Sequence, residues 1–308
     1  MIIIKYRGGL GNQMFQYAFQ LAMQKRYPET EILADLSHYQ LLTEHNGFEL
    51  ETAFGLTVSQ PENAELKKIS PYYVPSKGYQ YLPEKFRQII ACNLQYKYYD
   101  VQKRKKAEVY YKQEYHNTYE SRVYDLPLEQ DWYLDGLWQD IRYFKECENE
   151  VRSAFQFKNA GRFVACDLES LHEISDKNSV GIHVRRGDFV NSKFDICSMD
   201  YYREAVKKVY EQIDEPKFFL FTDDVEYVEK EFAWLEYKRI IKHNVDDSIL
   251  DMEMLSKCNH KIISNSTFAF WSAWLGEQKD NLIIAPQYSI IKADKKFELR
   301  TPENWVQI

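Results

Sequence analysis

Two adjacent arginines follow a strand-like segment in the second half of the chain. Residues 180–184 alternate apolar side chains with small or polar ones, as β-strands do, and Arg185, Arg186 and Asp188 come directly after them. Ligands of an open α/β sheet bind outside the carboxyl ends of its strands, where paired guanidinium groups can grip a diphosphate bidentately. The alternative is a surface Arg–Asp turn that only closes the strand.

Polar residues also follow two later strand-like segments. Asp223 and Asp224 come just after the segment 217–221, and a Ser-Asn-Ser-Thr turn follows the segment 261–263. Parallel strands place their carboxyl ends at one edge, so these loops are expected to converge on the arginines. A carboxylate there would accept hydrogen bonds from a base, and a helix N-terminus would offer N–H groups to phosphate, although both features are also ordinary helix N-caps. The residues of the turn are Ser264, Asn265, Ser266 and Thr267.

Repeated strand–helix units carry these loops, and they predict a parallel sheet with helices on both faces. After residue 198 the apolar positions recur at spacings of three and four, which is typical of amphipathic helices, and Ser198 is placed as an N-cap. The predicted strands are 180–184, 217–221, 239–241, 261–263 and 282–285, and the predicted helices are 199–213, 225–235, 248–257 and 268–277.

The chain opens with a second βαβ pattern. A β-branched strand at residues 2–6 leads into a glycine-rich turn, a helix and a short strand at 31–34. Gly9 and Gly11 match the dinucleotide-binding fingerprint, which leaves an NAD(P)-dependent oxidoreductase as an alternative function, but Met14 stands where that fingerprint needs its third glycine. Asn12 instead offers a side-chain amide beside the helix N-terminus, where anions and hydroxyls are favoured.

Composition limits the class of protein. A chain of 308 residues with 44% hydrophobic and 28% charged residues fits two globular domains, here predicted as 1–165 and 166–308. The net charge of −7 argues against nucleic acid as a partner, because such binding needs a basic face. Five scattered cysteines predict reduced thiols in a cytoplasmic protein, and we expect neither a signal peptide nor a membrane span.

Two further features bear on partners. Lysines and tyrosines alternate over residues 96–119, which predicts a solvated helix face or a lip that touches an anionic membrane surface. The seven histidines show no H-x-x-x-H spacing and no cluster with cysteine, so no metal site is expected. A diphosphate leaving group would then depend on arginines and a helix dipole for stabilisation.

Several segments resemble one enzyme family. Residues 8–18, read G-G-L-G-N-Q-M-F-Q-Y-A, resemble the opening of the α-1,2-fucosyltransferases of glycosyltransferase family 11. Residues 183–188, read H-V-R-R-G-D, are similar to the H-x-R-R-x-D motif of α-1,2-, α-1,6- and protein O-fucosyltransferases. Residues 251–258 with 264–275 resemble the family's third signature, and residues 136–139, 143–144 and 283–286 also fit.

The resemblance implies a GT-B architecture, an α/β fold in which two Rossmann-like domains face each other across a cleft. It implies inverting, metal-independent transfer of L-fucose from GDP-fucose to the 2-hydroxyl of a galactoside. The acceptor would be a galactose-terminated oligosaccharide or lipid-linked glycan in surface polysaccharide or O-antigen synthesis, with no other cofactor. Transfer of another GDP-sugar, or transfer to another hydroxyl, is the alternative within this class.

The resemblance also assigns roles to the matching residues. Arg185 would grip the β-phosphate with support from Arg186, and Asn12 would reach the fucose–phosphate region. The family pattern does not supply the catalytic base, and Asp188 is expected to serve as one because it shares the loop with the two arginines. Asp195 is the second candidate, and a role in orienting Arg186 is the alternative for Asp188. His183 would lie beside the ribose or base, Asp223 or Asp224 would bind guanine, and Ser266, Thr267 and Phe268 would hold the nucleotide.

Overall fold

The computed structural model divides the chain into two compact α/β units, Met1–Ala154 and Phe155–Ile308. It describes residues 1–41, 46–73, 103–114, 118–158, 161–243, 247–292 and 295–308, together with positions 83, 86 and 89. The division lies earlier than the predicted boundary at 165/166, because residues 155–165 are grouped with the second unit. Part of the basic run at 96–119 lies outside the described residues.

Unit 1 is built on a parallel four-stranded sheet with the order β2-β1-β4-β3. The opening strand and helix occur as predicted, whereas the short helices before residue 70 and the strand β3 were not predicted. The elements are β1 (Ile2–Lys5), α1 (Leu10–Arg26), β2 (Ile32–Asp35), α2 (Ser37–Leu41), α3 (Leu50–Phe54), α4 (Asn63–Ile69), β3 (Tyr110–Lys112), β4 (Trp132–Asp135) and α5 (Glu148–Ala154).

Unit 2 contains the strand–helix repeat that the sequence predicts. Its elements are α6 (Ala165–Ile174), β5 (Ser179–Val184), α7 (Met199–Tyr210), β6 (Lys217–Thr222), α8 (Val225–Glu231), β7 (Lys238–Ile241), α9 (Ser248–Lys257), β8 (His260–Ile262), α10 (Thr267–Leu275), β9 (Ile283–Ala285), β10 (Tyr288–Lys292), β11 (Lys295–Glu298) and β12 (Val306–Gln307). The predicted helices 199–213 and 225–235 extend too far, because α7 ends at Tyr210 and α8 ends at Glu231. The antiparallel hairpin β10–β11 and the strand β12 were not predicted.

The six-stranded parallel sheet of unit 2 has the order β12-β9-β8-β5-β6-β7. When its strands are numbered along the chain, this is the 3-2-1-4-5-6 order of dinucleotide-binding folds. The strand path reverses between β5 and β8, and the crevice outside the carboxyl ends of strands at such a point is where ligands bind. The fold therefore places a candidate site at the ends of β5 and β8.

Apolar side chains cover both faces of this sheet. Phe218 and Leu220 of β6 join the core formed with α7 and α8, while Phe219 and Phe221 pack on the other face with α6 and α9. Strands buried on both faces read as continuous apolar runs, which explains why the sequence of β6 shows no alternation. The N-cap prediction for α7 is confirmed, since the Ser198 hydroxyl accepts from the Tyr201 N–H.

A histidine just after β7 is held by carboxylates of α6 and α9. His243 contacts two carboxylates: its Nδ1 lies 2.7 Å from Asp251 and its Nε2 3.1 Å from Asp167. The hydrogen bond with Asp251 is the main cause that raises the pKa of His243 above its usual range, against the effect of burial. The folded protein therefore holds the imidazolium proton more tightly than the unfolded chain does.

We expect this pair of contacts to stabilise the protein below pH 6.5, and the stabilisation to be lost as pH rises through the higher pKa of the folded state. Urea unfolding of the wild type and of His243→Asn from pH 6 to pH 9 tests this. The difference in unfolding free energy between the two should shrink with rising pH. The control variant His172→Asn, at an exposed position of α6, should have the unfolding free energy of the wild type at every pH. A pH-independent difference for His243→Asn would contradict the prediction.

Candidate functional site

Arg185 lies between two carboxylates at the carboxyl end of β5. Its Nη2 donates to Asp188 Oδ1 at 2.7 Å, and its Nη1 lies 2.6 Å from Asp223 Oδ2. Asp188 is 57% exposed and sits in a single 3-10 turn, Gly187–Phe189, whereas Asp223 is 27% exposed. In the structure Asp188 therefore pairs with Arg185, and its role as base or in orienting Arg186 stays a prediction.

Arg186 has a different environment from its neighbour. Its guanidinium stacks 4.0 Å above the ring of Tyr227, and its Nη1 lies 3.7 Å from Asp195. Its backbone N–H donates to Asp223 Oδ1 at 2.8 Å. Asp195, the second candidate base, thus serves as the counter-ion of Arg186 and also accepts from the Asn191 N–H at 3.1 Å.

Gly187 allows Asp223 to approach the arginine loop closely. A Cβ on this glycine would lie 2.7 Å from Asp223 Oδ2, which is too close for any real side chain. Asp223 then fixes both the Arg185 side chain and the Arg186 backbone. Two arginines face three carboxylates in this loop, and Asp188 is the most exposed of the three.

His183 lies on β5 itself and bridges to the end of β8. Its Nδ1 is 2.9 Å from the Ser264 hydroxyl, and its ring centroid is 5.8 Å from that of Phe268. Burial, with a smaller effect of the Arg185 charge, lowers the pKa of His183 to about 3. The imidazole is therefore neutral at physiological pH, which suits a hydrogen-bonding contact and not a proton transfer.

The Ser-Asn-Ser-Thr turn joins β8 to the N-terminus of α10. Ser264 is buried and its hydroxyl accepts from the Ser266 N–H at 3.3 Å, while Ser266 is the N-cap residue. Thr267 and Phe268, both half-buried, lie in the first turn of the helix. The structure thus brings Ser264, Ser266, Thr267 and Phe268 to the strand end beside His183.

Two predicted binding residues have structural partners. The Asn265 amide donates to the carbonyls of Phe194 and Ser289, at 3.0 and 2.8 Å, and so ties the turn to the loop after β5 and to the hairpin. Asp224 caps α8 by accepting from the Tyr227 N–H at 3.1 Å, as the helix-cap alternative predicted. Asp223 does not cap that helix and belongs to the arginine loop.

The glycine-rich turn of unit 1 differs from a dinucleotide site. Gly9 is the N-cap residue of α1, and Gly11 is buried in its first turn. The Glu49 carboxylate accepts from the Leu10 N–H at 3.1 Å and so occupies the helix N-terminus, where a pyrophosphate would bind. The side chain of Asn12 faces Gln139 instead, with 2.7 Å between Oδ1 and Nε2. The geometry argues against the NAD(P) alternative.

A buried ionic cluster at the sheet edge of unit 1 was missed by the sequence reasoning. Asp135 at the end of β4 is buried, which would raise its pKa, yet Lys5, Arg7 and hydrogen bonds from Tyr72 and Tyr110 hold the pKa well below its usual range. Burial lowers the pKa of Lys5 to about 8 against the effect of Asp135. Lys5 and Asp135 are the last residues of β1 and β4, and a charged residue that ends an apolar strand is the signal that could have identified them.

The described residues contain neither a candidate metal cluster nor a candidate membrane-spanning helix. No three histidine, cysteine, aspartate or glutamate side chains in the described part of the chain are grouped so that they could hold a metal ion. Within the same residues, no helix is both long enough and apolar enough to cross a membrane.

Comparison with known proteins supports a glycosyltransferase. The chain is 28% identical to an α-1,2-colitosyltransferase of Escherichia coli over 325 residues, which cover 100% of this chain and 99% of that protein. It is 27% identical to galactoside α-(1,2)-fucosyltransferase 1 of Sus scrofa over 198 residues, which cover 59% of this chain and 54% of that protein.

Structural comparison supports the fold. A mutant of Arabidopsis thaliana FUT1 in complex with GDP superimposes with a TM-score of 0.51 at 12% identity, covering 97% of this chain and 74% of that one. This likeness bears on the fold alone and confirms the predicted α/β class of GT-B type. The model of glycosyl transferase family 11 matches residues 1–308, and the chain therefore belongs to this family.

Proposed function

We propose that the protein transfers L-fucose from GDP-fucose to the 2-hydroxyl of a galactoside with inversion and without a metal ion. The observation that carries the proposal is the arginine loop at the β5/β8 reversal of the sheet, beside the N-terminus of α10. A fixed guanidinium and a helix N-terminus are the groups that stabilise a departing diphosphate in the absence of a cation. The E. coli and S. scrofa relatives support the α-1,2 linkage.

In this reaction the acceptor oxygen attacks the anomeric carbon of fucose while the bond to the β-phosphate oxygen breaks. The electron pair of that bond leaves with GDP, and Arg185 neutralises the growing charge. A base takes the proton of the acceptor hydroxyl. We assign this role to Asp188, because a phosphate that binds Arg185 takes the place of the exposed Asp188 and leaves its carboxylate free to accept a proton.

Asp188→Asn tests that assignment. We expect GDP to bind at least as tightly as in the wild type, because a competing negative charge is removed. Turnover should fall by about 100-fold, the lower end of the range for general base catalysis, because solvent can reach this exposed position. Isothermal titration with GDP and steady-state transfer rates measure the two effects. Wild-type turnover in the variant would show that Asp188 is only a counter-ion of Arg185.

The identity of the sugar donor is the part of the proposal that most needs a direct test. An α-1,2-colitosyltransferase is similar over the whole chain, so transfer of another sugar from GDP is the second candidate function. Transfer from GDP-fucose and from the corresponding colitosyl donor should be compared on an array of galactose-terminated acceptors, with and without EDTA. Product with GDP-fucose in EDTA supports the proposal, whereas product with only the other donor, or loss of activity in EDTA, would overturn it.

The location of the reaction follows from the proposed acceptor. We propose a cytoplasmic enzyme that works on a lipid-linked glycan at the inner face of the membrane, with peripheral contact through the basic run. Lys103, Arg104 and Lys105 are exposed. Lys106 instead donates to the carbonyls of Lys67 and Ser70 and so anchors this segment to α4.

A further inference from the structure

The turn after β4 contains a strained tryptophan. Trp138 has a φ of 55°, in the left-handed region that bulky side chains rarely adopt. Its side chain is 0% exposed, stacks on Phe19 with 4.1 Å between ring centroids, and packs edge-on against Tyr143. Strain of this kind costs about 1–3 kcal/mol and persists only where the surroundings enforce it, and it occurs most often at functional sites.

The surroundings of the turn do enforce this conformation. Gln113 is fully buried, and its Oε1 accepts from the N–H groups of both Leu137 and Trp138 at 3.1 Å. A Cβ on Gly136 would lie 2.7 Å from the Trp138 ring and 2.8 Å from Gln113 Oε1, so this position has no room for a side chain. The Asp140 N–H donates to the Trp138 carbonyl at 2.8 Å and closes the turn. Gln139 of this turn extends its side-chain amide to Asn12 of α1.

That side chain determines how the Asn12 amide is oriented. Gln139 Nε2 is a donor, and it lies 2.7 Å from Asn12 Oδ1, so Asn12 presents its oxygen to Gln139 and its Nδ2 in the other direction. Nδ2 lies over Gly8, where a Cβ would be only 2.4 Å away and where φ is +80°. The hydrogen bond from Gln139 thus favours one orientation of the Asn12 amide, and the absence of a Cβ at Gly8 leaves room for the NH₂ group.

We propose that Gln139 is a positioning residue that sets the orientation of the Asn12 amide, so that Nδ2 serves as the hydrogen-bond donor to the leaving group. The proposal rests on the proposed function for the expected contact between Asn12 and the donor sugar nucleotide. The strained turn at Trp138 is then the device that holds Gln139 at the carboxyl end of β4, beside the first turn of α1.

Two substitutions of Gln139 distinguish an effect on the orientation of the Asn12 amide from an effect on packing. Gln139→Ala removes one hydrogen bond and should lower kcat by about fivefold to tenfold, the scale of one neutral hydrogen bond. Gln139→Glu keeps the size but can only accept, so it should turn the Asn12 amide around and lower kcat more than alanine does. Gln130→Ala is the matched control: Gln130 donates to the Glu108 carbonyl at the same 2.7 Å, on the surface of unit 1. It should leave kcat and KM for the acceptor unchanged.

The double variant Asn12→Ala/Gln139→Ala should be no slower than Asn12→Ala alone, because a positioning residue has no effect once its target is absent. Additive losses, or a Gln139→Glu enzyme as active as Gln139→Ala, would overturn the proposal. Side-chain amide NMR tests the orientation without turnover: in Gln139→Glu the Asn12 NH₂ signals should shift as Nδ2 turns to the new carboxylate. Unchanged Asn12 signals would refute the positioning role, whichever sugar donor the enzyme uses.

Discussion

Arg185→Ala is expected to lower kcat/KM by about 100-fold to 1000-fold, the effect of removing one preorganised donor to a developing negative charge. Arg185 is a cation at the β5/β8 reversal with two carboxylates within 2.7 Å. It is also the group that we propose binds the diphosphate, and alanine would remove both functions. Its loss also leaves Asp188 and Asp223 without a counter-charge, so GDP should bind more weakly as well.

Arg185→Lys tests whether the planar fork matters in addition to the charge. Lysine carries one point charge and cannot contact Asp223 and a phosphate with separate nitrogens, so we expect it to recover only part of the lost rate. Arg203→Ala is the control, since this arginine of α7 is 57% exposed and lies 3.7 Å from the exposed Asp200. Steady-state kinetics with GDP titrations will separate transfer from binding. If Arg185→Ala turns over at a near-normal rate, Arg185 does not stabilise the leaving group.

The sheet of unit 2 could be predicted because its strands and helices carry strong local signals. The predicted helix 248–257 matches α9 residue for residue, and the predicted strands of the repeat are displaced by one residue at most. Convergence of three strand ends followed from parallel topology alone. Which carboxylate would pair with which arginine did not follow, because such a pairing depends on side-chain geometry across strands β5 and β6.

Features that depend on distant contacts could not be predicted from the sequence. β3 has only three residues, which is too short for a recognisable strand pattern. Gln113 follows β3 and contacts the turn after β4, and no local pattern in the sequence indicates this contact. The Gln139–Asn12 pair joins positions 127 residues apart, and Glu49 reaches the start of α1 from a different helix. The strain at Trp138 could not be predicted, because the presence of a tryptophan in the sequence does not indicate a positive φ.

The largest expected loss of stability is at Gly276, where α10 ends against α9. A Cβ at this position would lie 1.8 Å from the carbonyl oxygen of Ser256 and 2.6 Å from its carbonyl carbon, which is backbone and cannot turn aside. Lys261 holds the same two helix ends together, since its buried ammonium donates to the carbonyls of Cys258 at 2.6 Å and Gly276 at 3.1 Å. Alanine would force α9 and α10 apart and pull these carbonyls from the ammonium.

Gly276→Ala should therefore destabilise the protein by at least about 3 kcal/mol, the upper range for overpacking, and lower its melting temperature by about 10 °C. The matched control is Gly161→Ala, because an added Cβ at that exposed position of unit 2 meets no atom within 4 Å. It should leave stability within about 0.5 kcal/mol. Thermal melting of both variants measures the difference. Equal melting temperatures would mean that α9 and α10 can separate at no cost.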